Sequence, residues 1–381
     1  MPTVNPHMLA WAREHAGLSL EEAARAIGMS GQLAADRLAG MERGERAPTH
    51  GQLAGMAAAY RRPLLTFYLP APPESTDPVP DYRRLPDRQD DTEHLVQALI
   101  RDVRARQALV RDALVEADEA EPKRFVGSAP PGVDAVSLAA LLTQTLRFDR
   151  EAYRARRTAG EAFSALRAAV EEIGVYVLVR GSLGHHTSRI EPTMFRGLAL
   201  ADRIAPFIVI NENDAKAAWS FTLLHEFCHL LLGGSGVSGY GSEQAVERLC
   251  DGAAALFLLE PGETQTIDVA GDPDTLAEAI GAFAQPRKVS RTMIAYHLLR
   301  DGRIDGNTYQ TLAARFAGSR RQPSSGSGGP DFYVVARHRL GPHLLGVVGR
   351  MMGEGLLSTT RAGKVLGVKP TMVTRMLEMA G

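Results

Sequence analysis

The chain has 381 residues, of which 45% are hydrophobic and 23% are charged, and its formal net charge is −1. This composition predicts a soluble globular protein, and the length predicts two or three domains. The balanced charge excludes a chain that binds polyanions over its whole surface, so any contact with nucleic acid requires a local basic patch. Its two cysteines exclude a disulfide framework and a Cys-x-x-Cys zinc site.

The sequence also carries information about location. The first residues, MPTVNPHMLAWAREHAGL, lack a basic stretch followed by an apolar one, so we expect no signal peptide. No run of about 18 apolar residues occurs, so we expect no membrane span. A protein of the reducing cytoplasm is the resulting prediction.

The N-terminal part of the chain is predicted to be helical. Residues 7–68 contain several short helices, one of which opens at Ser19 with Glu22 three residues later, a capping-box pattern. A proline-rich connector follows, since proline removes backbone donors and fixes φ. This connector leads into a charged helix over residues 92–120.

The remaining chain predicts an α+β fold with a small sheet. Helices at 137–146 and 159–172 precede strands in GVYVLVRG, FRGLALAD and APFIVINEND. Two further helices follow, one around HEFCH and one over about 243–259. After the flexible SSGSGG segment the chain is helical again, and the first and last helical segments look alike, as small helix-turn-helix units. The predicted domains are residues 1–70, 71–133, 134–322 and 331–381.

The strongest candidate site is HEFCH, residues 225–229, which lies within an apolar run. On a helix, residues i and i+4 share a face, so His225 and His229 can direct imidazole nitrogens at one ion. Glu226 lies one step round the helix, where it can hydrogen-bond water on that ion without ligating it. The alternative is a pair of buried histidines with backbone partners, and metal binding is the favoured interpretation.

A catalytic zinc needs a third protein ligand and a position open for water. The next helix, SEQAVERLCDGAAALFLLEP, offers Glu243, Glu247 and Asp251, which are spaced by four and share a face. The central position favours Glu247, and Asp251 is then placed to orient a histidine. A solvated helix face or a cap is the alternative role for Glu243 and Asp251.

These residues predict peptide-bond hydrolysis. Zinc lowers the pKa of water and polarises a carbonyl, and Glu226 is predicted to carry the proton from water to the leaving amine. An oxyanion stabiliser is also required, and Tyr240, Tyr296, His297 and backbone donors are the candidates. A structural role is the alternative for each of these three side chains.

Two further expectations concern the neighbouring residues. Substrate is expected to lie as an added strand along an edge supplied by PFIVINEND, with Asn211 and Asn213 near the cleft mouth. Cys228 and Cys250 are expected to fill the core, with a zinc-thiolate role as the alternative. The HEFCH helix is expected to pack beneath the sheet and to bury Leu223, Leu224, Phe227, Leu230 and Leu231.

Taken together, these stretches resemble the ImmA/IrrE family of zinc metallopeptidases, in the long form that carries an Xre-type helix-turn-helix domain at its front. The HEFCH helix alone is shared by many zinc peptidases, whereas its combination with SGVS and with ExxCD is more specific. The resemblance covers nearly the whole chain. The matching stretches are RRPLLTFYLPAPPE with PDYRRLP, FRGLAL, APFIVIN, FTLLHEFCHLLLGGSGVS, VERLCDGAAALFLLEP, KVSRTMIAYHLLRDGRI and DFYVVARHRLG with AGKVLGVKP.

The resemblance implies a zincin-like central domain in which His225, His229 and Glu247 hold Zn²⁺ and Glu226 is the general base. Members of the family cleave cytoplasmic transcriptional repressors or other proteins, so a repressor or an antitoxin is the implied substrate. Many are encoded near mobile elements, toxin–antitoxin pairs or stress-response regulators.

The chain departs from the family pattern in three places. Glu260 interrupts the usual end of the helix that follows HEFCH. Tyr296 and His297 stand where relatives often carry arginine. In the front domain, LSLEEAARAIGMS and MERGERAP match the Xre pattern, but the stretch from Ser30 to Glu42 is about one helical turn longer than expected. An extended or displaced recognition helix is therefore expected.

Four residues of the front domain are candidates for contact with DNA. Gln32 and Arg37 are predicted to enter the groove, and Arg43 and Arg46 to contact phosphates. Three nearby carboxylates dilute the positive charge, so the alternative is a domain that binds a protein partner or forms a homodimer.

Two functional hypotheses remain at this stage. The first is an intracellular zinc endopeptidase that acts on a regulatory protein. The second is a DNA-binding regulator or antitoxin-like partner, whose protease fold senses metal or binds a protein without cleaving it. The complete His-Glu-x-x-His motif favours the first, because a pseudoenzyme is expected to lose Glu226, which has no ligand role.

Overall fold

The chain folds into two compact units in a computed structural model. The first unit comprises residues 1–102 with 182–190, and the second comprises residues 103–181 with 191–381. Several predicted features lie outside the described residues: most of the proline-rich connector, Tyr240, Glu243 and the SSGSGG segment. The structure describes residues 3–72, 93–184, 188–234, 236–237, 244–318 and 331–378.

The first unit is helical, as predicted. The capping box is confirmed, since the Ser19 hydroxyl accepts the Glu22 N–H and the Glu22 carboxylate accepts the Ser19 N–H. Over residues 3–72 its elements are α1 (Pro6–Glu14), α2 (Leu20–Ala26), α3 (Ala34–Glu42), α4 (His50–Ala59) and a 3₁₀ helix (Leu64–Tyr68).

Of the two expectations for the recognition helix, extension is wrong and displacement stays a prediction. α3 has nine residues, and the residues that precede it form a turn instead of an additional helical turn. Arg13 of α1 pairs with Glu42 of α3 at 2.7 Å, and both side chains are largely buried. The Glu42 side chain therefore joins α3 to α1 through this ion pair.

The second unit combines helices with one small sheet, in agreement with the predicted α+β class. α5 (Glu93–Glu116) contributes residues to both units. None of the described helices is long and apolar enough to cross a membrane. The other helices are α6 (Ala135–Leu146), α7 (Arg150–Arg154), α8 (Ala159–Glu172), α9 (Lys216–Leu232), α10 (Gln244–Leu258), α11 (Pro273–Arg287), α12 (Arg291–Arg300), α13 (Gly306–Gly318), α14 (Phe332–Leu340), α15 (Pro342–Gly353), α16 (Thr359–Leu366) and α17 (Pro370–Glu378), with a 3₁₀ helix at Glu263–Thr266.

Within the described ranges, the sheet has four strands in the order β1-β3-β2-β4. β3 pairs in parallel with β1 and antiparallel with β2, and β2 pairs antiparallel with β4. The strands are β1 (Tyr176–Val179), β2 (Gly197–Leu200), β3 (Phe207–Ile210) and β4 (Gly236–Val237).

The prediction that PFIVINEND supplies a free edge is wrong. β3 is an interior strand, since it is paired with β1 on one side and with β2 on the other. Its four residues are buried. The Asn211 side-chain amide is buried and donates to the Phe195 carbonyl at 2.7 Å. The Asn213 amide donates to the Gly181 carbonyl at 2.8 Å. These contacts give both asparagines a role in holding loops at the end of the strand.

α9 packs beneath the sheet against β2 and β3, as predicted. The helix ends at Leu232 and is capped by Gly233, whose φ of 75° lies in the left-handed region that glycine tolerates. The predicted core residues of this helix are confirmed as fully buried: Leu223, Leu224, Phe227, Leu230 and Leu231.

α10 lies against α9 and α6. Its residues Gly252, Ala253 and Ala254 are buried, and their small size allows the helices to approach closely. A methyl group added at Gly252 would come within 3.0 Å of the Ala135 side chain. This packing brings the first turns of α10 next to the histidines of α9.

A buried ion pair connects the C-terminal helices to the sheet. The Arg167 and Glu171 side chains of α8 contact each other at 2.8 Å. Arg167 also donates to the carbonyls of Val177 in β1 and His338 in α14, and Glu171 accepts the N–H of His343 in α15. The C-terminal helical segment is thus an integral part of the second unit.

A second charged cluster lies after α10. Glu263 binds Arg154 at 2.8 Å and Arg287 at 2.7 Å. Burial by itself raises the pKa of Glu263, but hydrogen bonds from Arg154, the Glu260 N–H and Arg287 outweigh it and lower that pKa from 4.5 to about 2. The ionised carboxylate therefore stabilises the fold.

We expect Glu263→Gln to lower the free energy of unfolding by about 2 kcal/mol at neutral pH. Because the folded pKa is depressed, this contribution is complete above the unfolded pKa of about 4.3 and is lost as the pH falls toward 2. Urea unfolding at several pH values measures it. Glu161→Gln, which alters an exposed pair with Arg157, is the control and should change stability by less than about 0.5 kcal/mol. A difference between wild type and Glu263→Gln that does not depend on pH would contradict the prediction.

Candidate metal centre

The two histidines of HEFCH face the same point in the core. They lie one turn apart on α9, and their Nε2 atoms are 3.1 Å from each other. Both side chains are buried, with relative exposures of 4% for His225 and 6% for His229. This is the geometry that a shared metal ion requires of two imidazoles.

Glu247 of α10 reaches both imidazoles. Its carboxylate oxygens lie 3.3 Å from His225 Nε2 and 3.2 Å from His229 Nε2. The same nitrogen of each ring thus faces Glu247 and the other ring. Two imidazoles and one carboxylate form a donor set that suits zinc.

Cys250, one turn after Glu247, lies closer to the histidines than sequence reasoning indicated. Among the described residues, ligand atoms of His225, His229 and Cys250 lie within 4.8 Å of one another, a buried group that could hold a metal. Cys250 is thus not only a residue that fills the core. A hydrogen bond with Cys228 and then burial raise the pKa of its thiol, which opposes the thiolate form that ligates metals.

Asp251 contacts the far side of the first histidine. Its Oδ1 lies 2.9 Å from His225 Nδ1, the contact that the predicted orienting role requires. A carboxylate on the second ring nitrogen fixes the tautomer and the orientation of a ligating imidazole.

The acidic surroundings favour protonated histidines. Burial lowers the pKa of His225, but Asp251, Glu247 and Glu226 together raise it well above 6.5. Burial likewise lowers the pKa of His229, and hydrogen bonds with Cys250 and Glu247 raise it to about 10. Because a metal binds neutral imidazole, metal binding here releases protons and weakens as the pH falls.

Glu226 is fully buried and packs against β2. At Gly197 of that strand, an added methyl group would lie 2.7 Å from both Cγ and Cδ of Glu226. The Glu226 carboxylate therefore occupies space that any other residue at position 197 would fill. Sequence reasoning missed Gly197, although a glycine inside an apolar strand often marks a close approach.

A cavity of about 640 Å³ adjoins the site. Asp251 is part of its wall, as are Phe221 and Thr222 of α9. Tyr296 and His297 of α12, the predicted oxyanion candidates, line it too. Their oxyanion role stays a prediction, and the third candidate, Tyr240, lies outside the described residues.

The candidate DNA contacts of the first unit are exposed but partly engaged. Gln32 and Arg46 are at the surface. Arg37 donates to the Ser30 carbonyl of its own turn, and Arg43 pairs with Glu45 at 2.6 Å. DNA binding by this region stays a prediction.

The third ligand can be identified by a matched pair of substitutions. We expect Glu247→Ala to weaken metal binding by more than the roughly 10–100-fold that loss of an outer hydrogen-bond partner causes. We expect Cys250→Ala to retain metal, because the Glu247 carboxylate faces both Nε2 atoms. Competition with a chromogenic chelator measures both affinities. Retention of metal by Glu247→Ala and its loss in Cys250→Ala would assign the ligand to the thiol instead.

Residues 171–299 match the model of the Peptidase_M78 family, described as the IrrE N-terminal-like domain. The match includes α9 and α10 and covers about a third of the chain, without the N-terminal helices. No curated protein and no solved structure matches the chain.

This part of the chain thus resembles a peptidase-family domain, and it contains a buried cluster that could bind a metal. The match supports the relationship to the ImmA/IrrE family that the sequence motifs predict.

Proposed function

We propose that this protein is a zinc-dependent endopeptidase that cleaves a regulatory protein such as a transcriptional repressor or an antitoxin. One observation carries the proposal: His225 Nε2, His229 Nε2 and the Glu247 carboxylate converge within 3.3 Å, and Glu226, the next residue of α9, is fully buried. The Peptidase_M78 match over the same helices supports it.

Each residue has a chemical role in this proposal. His225, His229 and Glu247 would hold the metal, and a bound zinc ion supplies Lewis-acid activation of water and of the scissile carbonyl. Glu226 accepts a proton from the attacking water and donates one to the amine that leaves when the peptide bond breaks. Asp251 holds His225 in the orientation that this donor set needs.

The adjoining cavity provides a place for the substrate. Its wall contains apolar side chains such as Phe221 and Met293, along with Tyr296 and His297. A peptide side chain can enter it beside Asp251, and Tyr296 or His297 then lies near the carbonyl that becomes negatively charged. The nature of the substrate, a regulatory protein, rests on the family resemblance.

The test combines metal analysis with a search for the substrate. Purified protein should contain about one zinc ion per chain, and His229→Ala should contain none. Cells that produce wild type should lack one protein that persists in cells producing Glu226→Gln. Absence of metal from the wild-type protein would overturn the proposal. An unchanged biological effect of Glu226→Gln would favour the DNA-binding regulator or antitoxin-like partner instead.

A further inference from the structure

Helices α15, α16 and α17 of the second unit form a three-helix cluster that the proposed peptidase function does not use. α15 contacts both α16 and α17, and these two helices pack on each other. α16 ends at Leu366 and α17 begins at Pro370, so three residues join them. Gly367 in this turn has a φ of 66°, in the left-handed region. A short, glycine-containing turn between two packed helices is the local geometry of a helix-turn-helix motif.

Specific contacts hold this turn in place. A methyl group added at Gly363 of α16 would lie 2.9 Å from the Val368 carbonyl, so the close return of the chain requires glycine. The buried Arg106 donates Nη1–H to the Val365 carbonyl at 2.9 Å and so satisfies one of the last carbonyls of α16. These two contacts fix the path of the turn between α16 and α17.

α17 has one buried face and one polar face. Val373 and Met376 are buried against the neighbouring helices. The exposed residues follow the i, i+3, i+4, i+7 spacing of a single face and are Thr371, Thr374, Arg375 and Glu378. Hydroxyl and guanidinium groups are donors and acceptors of the kind that recognise base edges in a major groove.

The charge of this region complements a polyanion. Residues 331–381 contain seven lysines and arginines against three aspartates and glutamates, whereas the whole chain has a net charge of −1. The exposed cations of α16 and α17 are Arg361, Lys364, Lys369 and Arg375. The Arg375 guanidinium lies 4.6 Å from the centre of the Tyr333 ring, which orients this side chain.

We propose that α16 and α17 form a DNA-binding helix-turn-helix unit, with the exposed face of α17 in the major groove of a duplex. Lys364 and Lys369 flank that face and contact phosphates, while Thr371, Thr374 and Arg375 reach the bases. This site is separate from the N-terminal residues for which DNA contact is predicted. It is also independent of the metal centre, so it stands whether or not the chain is a peptidase.

The test measures binding of the full-length protein to a labelled, mixed-sequence duplex DNA by fluorescence anisotropy. Wild type should bind with a dissociation constant of roughly micromolar order at low salt, and its affinity should fall steeply as salt is added. Lys369→Gln with Arg375→Gln should weaken binding about tenfold and reduce the salt slope by about one, because only Lys369 is assigned to a phosphate. Thr371→Asp, which adds a negative charge without removing a cation, should weaken it to a similar degree.

A matched N-terminal variant shows where any binding originates. Arg37→Gln with Arg46→Gln removes the same charge from the first unit. If α16 and α17 bind the DNA, this variant should keep an affinity within about twofold of wild type. Unfolding curves of all variants should match wild type, because the altered residues are exposed. Unchanged affinity in both C-terminal variants, absence of binding at low salt, or equal competition by polyaspartate of matched charge would overturn the proposal. The last result would identify an acidic protein as the ligand.

Discussion

Glu226→Gln is expected to abolish peptide-bond hydrolysis while the metal remains bound. Glutamine has the same shape but cannot accept a proton at neutral pH, and positioned general bases contribute roughly 10²–10⁴-fold to the rate. Glu226 is fully buried, and its carboxylate lies against Gly197 of β2, so the amide can take the same place. The measurement is kcat/KM on the protein that accumulates in Glu226→Gln cells, together with the metal content of both proteins.

Two comparisons make this result specific. Glu161→Gln alters an exposed carboxylate of α8 and should leave kcat/KM unchanged. Loss of metal from Glu226→Gln would mean that Glu226 is a ligand and not a base. Full activity of a metal-loaded Glu226→Gln protein would refute the proposed mechanism.

Gly197→Ala is expected to lower kcat by about 100-fold while the protein still folds and the metal stays bound. The added methyl group would lie 2.7 Å from Glu226 Cγ and Cδ, so the carboxylate has to move. A displacement of about 1 Å in a catalytic group is sufficient for such a loss. The Glu226 side chain can shift more readily than the strand, so β2 should keep its place, while overpacking lowers the free energy of unfolding by roughly 1–3 kcal/mol. Steady-state kinetics, metal content and thermal unfolding measure the three quantities.

The control for Gly197 is a second variant that removes its only proposed target. If Gly197 acts through Glu226, Gly197→Ala with Glu226→Gln should be no slower than Glu226→Gln alone. Gly346→Ala, at a helical position where an added methyl group meets no atom within 4 Å, should keep full activity. Independent, multiplying effects of Gly197→Ala and Glu226→Gln would show that Gly197 does not position the base.

Features that depend on short spacings could be predicted from the sequence. The capping box of Ser19 and Glu22, the helix over residues 159–172 and the shared face of His225 and His229 follow from hydrogen bonding and periodicity within a single helix. The burial of Phe227 and its apolar neighbours follows from the same periodicity. In each case the residues involved are only a few positions apart in the chain, so the geometry of a single helix fixes where they lie relative to one another.

The candidates for a third metal ligand required tertiary information. Spacing placed Glu243, Glu247 and Asp251 on one face of the next helix. It favoured Glu247 as the ligand only because Glu247 is the central residue of the three. In the structure, the packing of α10 on α9 brings Glu247 to both Nε2 atoms and Asp251 to His225 Nδ1. It also brings Cys250 close to both histidines, where the sequence favoured a residue that fills the core and left a zinc-thiolate role as the alternative.

The sequence by itself determined that a helix with two histidines and a glutamate lies in an apolar core, because one helical turn sets those distances. Only the tertiary structure decided that β3 is the central strand, that Gly197 borders Glu226 and that the α16–α17 turn rests on Arg106. Each of these contacts joins residues far apart in the chain. Their positions depend on how whole elements pack, and local periodicity carries no information about that packing.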